Sequence, residues 1–325
     1  MDTRYIKNSR LRRTSAIKRG LAAGLSAAFV TAGTGLYLSH RILYIAKKAE
    51  EAITERETKA GRYDAHIYSQ LPKEEVWVSS IDGTRLKSVF ITPNPGQPYV
   101  IFCHGVTEHK VNSVKYMNLF LKRGFNAVLF DHRRHGESEG SITSYGHFEK
   151  YDLKAVVDEL IRREGADARF GIHGESMGAV TLLLYAGTLE DKASFYIADC
   201  PFSDFRKQVK HQIKRELGFS PPFFMTIAEW AVWLRGRYKM AELSPLESVE
   251  NIKHPVLFIH SKKDDFILPD MTKSLFDAKK GPKQLFMAEK GVHAQSYNEN
   301  PEEYENAIDG FLFKFQLNPQ NKRSL

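Results

Sequence analysis

Gly174-Glu175-Ser176-Met177-Gly178 admits few architectures. A serine with a glycine two residues away on each side suits a sharp strand-to-helix turn that holds the hydroxyl exposed. The flanks fit that context. Arg169 to His173 reads as a short buried strand, and Ala179 to Ala186 as an apolar helix. Glycine has no Cβ, so the turn can pack between strand and helix without a clash. A serine presented this way implies nucleophilic attack on an acyl carbonyl.

The partners such a nucleophile needs occur later in the chain. Asp264 follows a strand-like run and His293 lies in a loop near the end, giving the order Ser, Asp, His. Chymotrypsin-like and subtilisin-like proteases have other orders. Asp265 and Asp199 are alternative acids: one is adjacent to Asp264, the other ends the run Phe195-Tyr196-Ile197-Ala198. His104-Gly105-Val106 follows the apolar run Tyr99 to Cys103. Such a turn can aim the Val106 N–H at the oxyanion position, where the Met177 N–H would be the second donor.

Taken together, His104-Gly105, Asp131-His132-Arg133-Arg134-His135-Gly136-Glu137-Ser138, the Ser176 turn, Phe258 to Asp264 and Gly291-Val292-His293-Ala294 resemble the α/β-hydrolase superfamily. The similarity is to bacterial membrane-tethered hydrolases grouped with serine aminopeptidases and monoacylglycerol lipases, and it runs from about Val76 to Phe315. It implies the α/β-hydrolase fold, with a mostly parallel eight-stranded sheet and helices on both faces. It also implies a Ser176, His293 and Asp264 triad, whose chemistry needs no metal or cofactor. The family usually has Gly where Ser261 stands, and its proline after the acid comes one residue earlier than Pro269; Asp265 therefore stays open beside Asp264.

Residue patterns independently indicate an alternating α/β chain, which places a parallel sheet between helical layers. Helices are expected at 114–123, 148–163, 176–187, 271–279 and 301–315. Between Asp199 and Pro255 lies an insertion, expected as a helical lid over 201–254. Its first half spaces Phe205, Val209, Ile213 and Leu217 four apart among basic residues. After Ser220-Pro221-Pro222, a helix start, the run Phe223 to Leu234 is apolar nearly all round, so it must be buried, roof a pocket or meet lipid. Phe223, Phe224, Trp230 and Trp233 are the expected acyl-binding residues. Glu175 is expected to pair with a base such as Arg133.

The amino terminus differs in kind. Arg4, Lys7, Arg10, Arg12, Arg13, Lys18 and Arg19 precede an uncharged run from Gly20 to Ser39, long enough as a helix to cross a hydrocarbon core. Residues 1–41 are thus expected as a cytoplasmic basic tail and single-pass anchor. Residues 42–72 are expected as a helical stalk, and 73–318 as the hydrolase domain, outside the cell membrane by the positive-inside rule. The net charge of +8 is concentrated in the tail and the remainder is nearly balanced, which disfavours a nucleic-acid partner. Twelve histidines invite a metal reading, but His104, His109, His132, His135, His147 and His173 fall in different expected loops, with no ligand pair on a helix. Cys103 and Cys200 do not make a disulfide framework.

The expected function is serine hydrolysis of carboxylic esters, with a small-molecule or lipid acyl substrate and a membrane as partners. A peptidase or amidase is the enzymatic alternative, and a non-catalytic surface protein on the same fold is the alternative outside enzymes.

Overall fold

The computed structural model describes residues 3–219 and 222–319. Eight strands form one sheet: β1 (Lys73–Ser79), β2 (Arg85–Ile91), β3 (Tyr99–Cys103), β4 (Asn126–Phe130), β5 (Phe170–Glu175), β6 (Phe195–Asp199), β7 (Val256–Ser261) and β8 (Lys283–Ala288). Their spatial order is β1-β2-β4-β3-β5-β6-β7-β8. The first two pairings, β1 with β2 and β2 with β4, are antiparallel. From β4 to β8 all pairings are parallel.

Parallel strands need crossovers, and these helices cover both faces. In chain order the helices are α1 (Thr3–Leu43), α2 (Glu50–Lys59), α3 (Ala65–Gln70), α4 (Val114–Leu121), α5 (Glu149–Glu164) and α6 (Met177–Thr188). They continue with α7 (Phe205–Leu217), α8 (Pro222–Gly236), α9 (Pro269–Ala278), α10 (Ser296–Glu299) and α11 (Pro301–Lys314).

Alternation along each strand divides the core. Tyr99, Ile101 and Cys103 of β3 pack with Leu153 and Val157 of α5 and Leu182 of α6. Val100 and Phe102 point the other way, onto Met117 and Phe120 of α4 and Phe311 of α11. Each such side chain, fully buried, contributes on the order of 1.5–3 kcal/mol. A third apolar cluster sits over the carboxyl ends of the strands and joins Phe205, Val209 and Ile213 of α7 to Ala228 and Val232 of α8 and Leu43 of α1.

The amino-terminal expectations need correction. The run from Gly20 to Ser39 is helical within α1, but among the described residues no helix is long and apolar enough to cross a membrane. Most residues of the run are Gly, Ala, Ser or Thr, which contribute little to transfer into hydrocarbon, and some of its side chains lie outside those described. The end of the run packs on protein: a Cβ on Gly35 would lie 3.3 Å from Ala231 of α8. Residues 42–72 are also no free stalk. Ile53 and Glu57 of α2 are buried, and Arg56 Nη2 binds Glu108 Oε2 at 2.8 Å. The helix start at Ser220 and Pro221 lies outside the described residues.

Candidate active site

The β5–α6 turn fixes the serine through backbone contact. Ser176 has φ 55° and ψ −114°, a strained conformation for a residue with a Cβ. The turn is tight because Cβ atoms are missing around it. A Cβ on Gly178 would lie 2.1 Å from the Cys103 carbonyl oxygen, and one on Gly174 would lie 2.4 Å from the Gly178 carbonyl carbon. Ser176 N–H donates to the Asp199 carbonyl at 2.8 Å, tying the turn to β6.

Three side chains meet there. Ser176 Oγ is 2.9 Å from His293 Nε2, and His293 Nδ1 is 2.7 Å from Asp264 Oδ2. A carboxylate accepts only, so the imidazole proton belongs on Nδ1 and leaves Nε2 to accept from the serine hydroxyl.

Asp264 is held by four donors. Oδ1 accepts from the N–H groups of Phe266 and Ile267, both at 2.9 Å. Oδ2 takes His293 and, at 3.0 Å, His260 Nε2. Burial alone would raise the Asp264 pKa, but the hydrogen bonds and charge of His260 and His293 hold it well below the usual carboxylate range.

The alternative acids lie elsewhere. Asp265 faces solvent, with its side chain 71% exposed and 3.6 Å from Arg215. Asp199 is buried and accepts from Ser296 Oγ at 3.0 Å. Its pKa is pushed up to about 6, first by burial and then by the nearby Glu175 charge. Ser296 also meets Ser261 at 3.0 Å, so the residue that replaces the family's usual Gly joins this polar chain.

Met177 opens α6 and Val106 follows β3, and both line the cavity at Ser176. Beneath them, Glu175 does not pair with Arg133 as expected. Its carboxylate accepts from Tyr116 Oη at 2.6 Å and Asn112 Nδ2 at 3.1 Å, with Lys115 Nζ 3.4 Å away. Arg133 instead grips Asp152 with two bonds of 2.7 Å.

Two cavities adjoin Ser176. One, of about 200 Å³, is mostly apolar and is lined by Phe202, Phe205, Val209 and Ile213, with Tyr37, Leu38 and Ile42 of α1. The other, of about 430 Å³, carries Lys48, Arg56, Glu57, Arg62 and Glu108 beside His293.

The expected acyl-binding residues are in neither. Phe223, Trp230 and Trp233 are 58%, 62% and 45% exposed, and Phe224 packs partly buried at the cluster's edge. The reason lies in α8 packing: Ala228, Val232 and Gly236 form its buried face, and small residues permit the closest approach, so the large rings turn outward. Sequence reasoning missed the α1 wall and His260. His260 had a signal, since it stands four residues before Asp264. Among the described residues, no group of three or more His, Cys, Asp or Glu is arranged to hold a metal ion.

Comparison with known proteins agrees with this geometry at the level of family and fold. Residues 95–244 match the family model described as serine aminopeptidase, S33. Over 288 residues the chain is 44% identical to the protein YqkD of Bacillus subtilis (strain 168), covering 88% of this chain and 94% of that one. The esterase Pf2001 of Pyrococcus furiosus superposes with a TM-score of 0.63 at 22% identity, over 78% of this chain and 96% of its own. The acylaminoacyl peptidase of Pyrococcus horikoshii gives 0.60 at 20% identity, over 81% and 45%. At those identities the two structures speak for the fold alone.

Proposed function

The chain belongs to the α/β-hydrolase superfamily, and we propose that it is a serine hydrolase cleaving carboxylic esters with apolar acyl groups. The observation that carries this reading is the unbroken run of hydrogen bonds from Ser176 through His293 to Asp264.

In the proposed mechanism Ser176 Oγ attacks the ester carbonyl carbon while its proton passes to His293 Nε2. Asp264 keeps the Nδ1 proton in place and stabilises the imidazolium. The N–H groups of Val106 and Met177 receive the oxyanion; each such donor is typically worth about 2.7–4 kcal/mol. Collapse breaks the bond to the leaving oxygen, which takes the proton from Nε2. Water then gives a proton to Nε2 and attacks the acyl-enzyme, whose collapse returns the proton to Ser176.

The apolar cavity supports an apolar acyl group, and α7 with α8 would serve as its lid. An apolar cavity of about 150 Å³ accepts a benzene ring, so about 200 Å³ suits a chain on the order of eight carbons. A membrane is the proposed partner of α1, whose Leu21, Leu25 and Phe29 are exposed and follow the basic tail. Amide cleavage is the second reading, favoured by the serine aminopeptidase match. Glu175, the acid next to the nucleophile, is engaged by Tyr116 and Asn112, which speaks against its holding a substrate amine.

A fluorophosphonate probe should label the full chain and fail on Ser176→Ala. Among nitrophenyl esters and aminoacyl anilides, turnover of the esters is expected to dominate. Folded wild-type protein that takes no label would sink the hydrolase reading; preferential anilide cleavage would replace ester by amide.

A further inference from the structure

A helix that served only as a tether would need no fixed position over the active site. The end of α1 has one, secured from several elements. Ser39 is buried; its hydroxyl donates to the Gly35 carbonyl at 2.6 Å and accepts from Arg235 Nη1 of α8 at 2.7 Å. Leu43 is fully buried, and its carbonyl accepts from Thr143 N–H at 2.9 Å. Arg134 Nη1 reaches the Ile45 carbonyl at 2.9 Å. Arg41 Nη2 pairs with Glu216 of α7 at 2.9 Å.

These ties bring Tyr37, Leu38, Ile42 and Ile45 into the wall of the apolar cavity. Ile45 has a further property. Together with Val106, Ser176 and Phe266 it lines both the apolar and the charged cavity. The nucleophile therefore sits at a neck, with apolar surface on one side and paired charges on the other.

We propose that the last turns of α1 and the following Ile45 are a substrate-binding element: Leu38 and Ile42 set the length of acyl chain the enzyme accepts, and Ile45 marks the neck that separates acyl group from leaving group. This rests on the ester-hydrolase reading and deepens it. The physical basis is direct. Each methylene that enters the cavity gains transfer free energy only while apolar wall atoms are there to meet it. The wall from α7 is contributed by the hydrolase insertion, whereas the facing wall comes from a segment more than a hundred residues before the nucleophile.

The test uses the full chain and nitrophenyl esters from acetate to dodecanoate. Leu38→Trp and Ile42→Trp fill the cavity, so the ratio of kcat/KM for octanoate and longer esters to that for acetate should fall by about tenfold or more. Leu38→Ala enlarges the cavity and should move the optimum to longer chains. Acetate turnover and fluorophosphonate labelling of Ser176 report folding of each variant. Length profiles that stay parallel to wild type, or that drop equally on acetate and octanoate in folded variants, overturn the proposal while leaving ester hydrolysis intact. Wild-type protein that hydrolyses no ester overturns both.

Discussion

The floor of the active site and its cover are built on different principles. On the floor, Ser176 is held in a strained conformation by atoms that cannot yield: the Cys103 carbonyl against Gly178, and Gly178 against Gly174. In the cover, α1, α7 and α8 are held by side-chain packing, with Leu43, Ala228 and Val232 buried between them, and by side-chain bonds such as Arg235 to Ser39 and Arg41 to Glu216. Backbone contact tolerates one residue type at each position, and so leaves a motif. Packing tolerates many apolar residues and several orientations. The proposed chemistry falls to the rigid part and the proposed acyl selection to the adaptable part.

The sharpest way to break this division is at the acid. Asp264→Asn should lower kcat by about 10⁴, because an amide in place of the carboxylate no longer fixes the His293 tautomer. Asp265→Asn should stay within about twofold, since that side chain faces solvent beside Arg215. Equal losses in the two variants would show that the relay is not confined to Asp264.

Stability offers the next test. Gly178→Ala sets a methyl against backbone and should cost about 3 kcal/mol, a fall in Tm of about 6–12 °C. Gly33→Ala in α1 meets open space and should leave Tm unchanged or slightly higher, because alanine is the better helix former. Thermal melts of both proteins decide it. A Gly178→Ala protein that melts with wild type would mean that the turn relaxes, and the contrast between floor and cover would lose its basis.

What could be read from the chain follows the same line. The strands β3 to β8, the two helical layers and the residues Ser176, Asp264 and His293 were legible, because buried parallel strands are continuous apolar runs and the turn has its own signature. The hairpin of β1 and β2 was not recognised. Only Val78 of β1 is buried, so the strand reads as polar. Its signal was Asp82-Gly83 at the turn, with Gly83 at φ 85°. The partner of Glu175 was beyond reach: the choice between Arg133 and Lys115 depends on Asp152 capturing Arg133, a contact that only the folded chain reveals.

The orientation of α8 was equally hidden, and it yields the smallest expected effect on turnover. An apolar helix with aromatic residues on several sides can bury its rings or its small residues. Close approach of α1 at Gly35 sets that helix against Ile227 and Ala231, Ala228, Val232 and Gly236 form the buried face of α8, and Trp230 and Trp233 are left outside. Trp230→Ala and Trp233→Ala should therefore change kcat/KM on a soluble butyrate ester by less than about twofold. The same variants should weaken co-sedimentation of the full chain with anionic lipid vesicles by about threefold to tenfold, since exposed indoles favour the membrane interface. A large loss on the soluble ester with vesicle binding unchanged would mean that the rings turn inward over Ser176 during catalysis. In that case the aromatic residues, and not the end of α1, would form the acyl site.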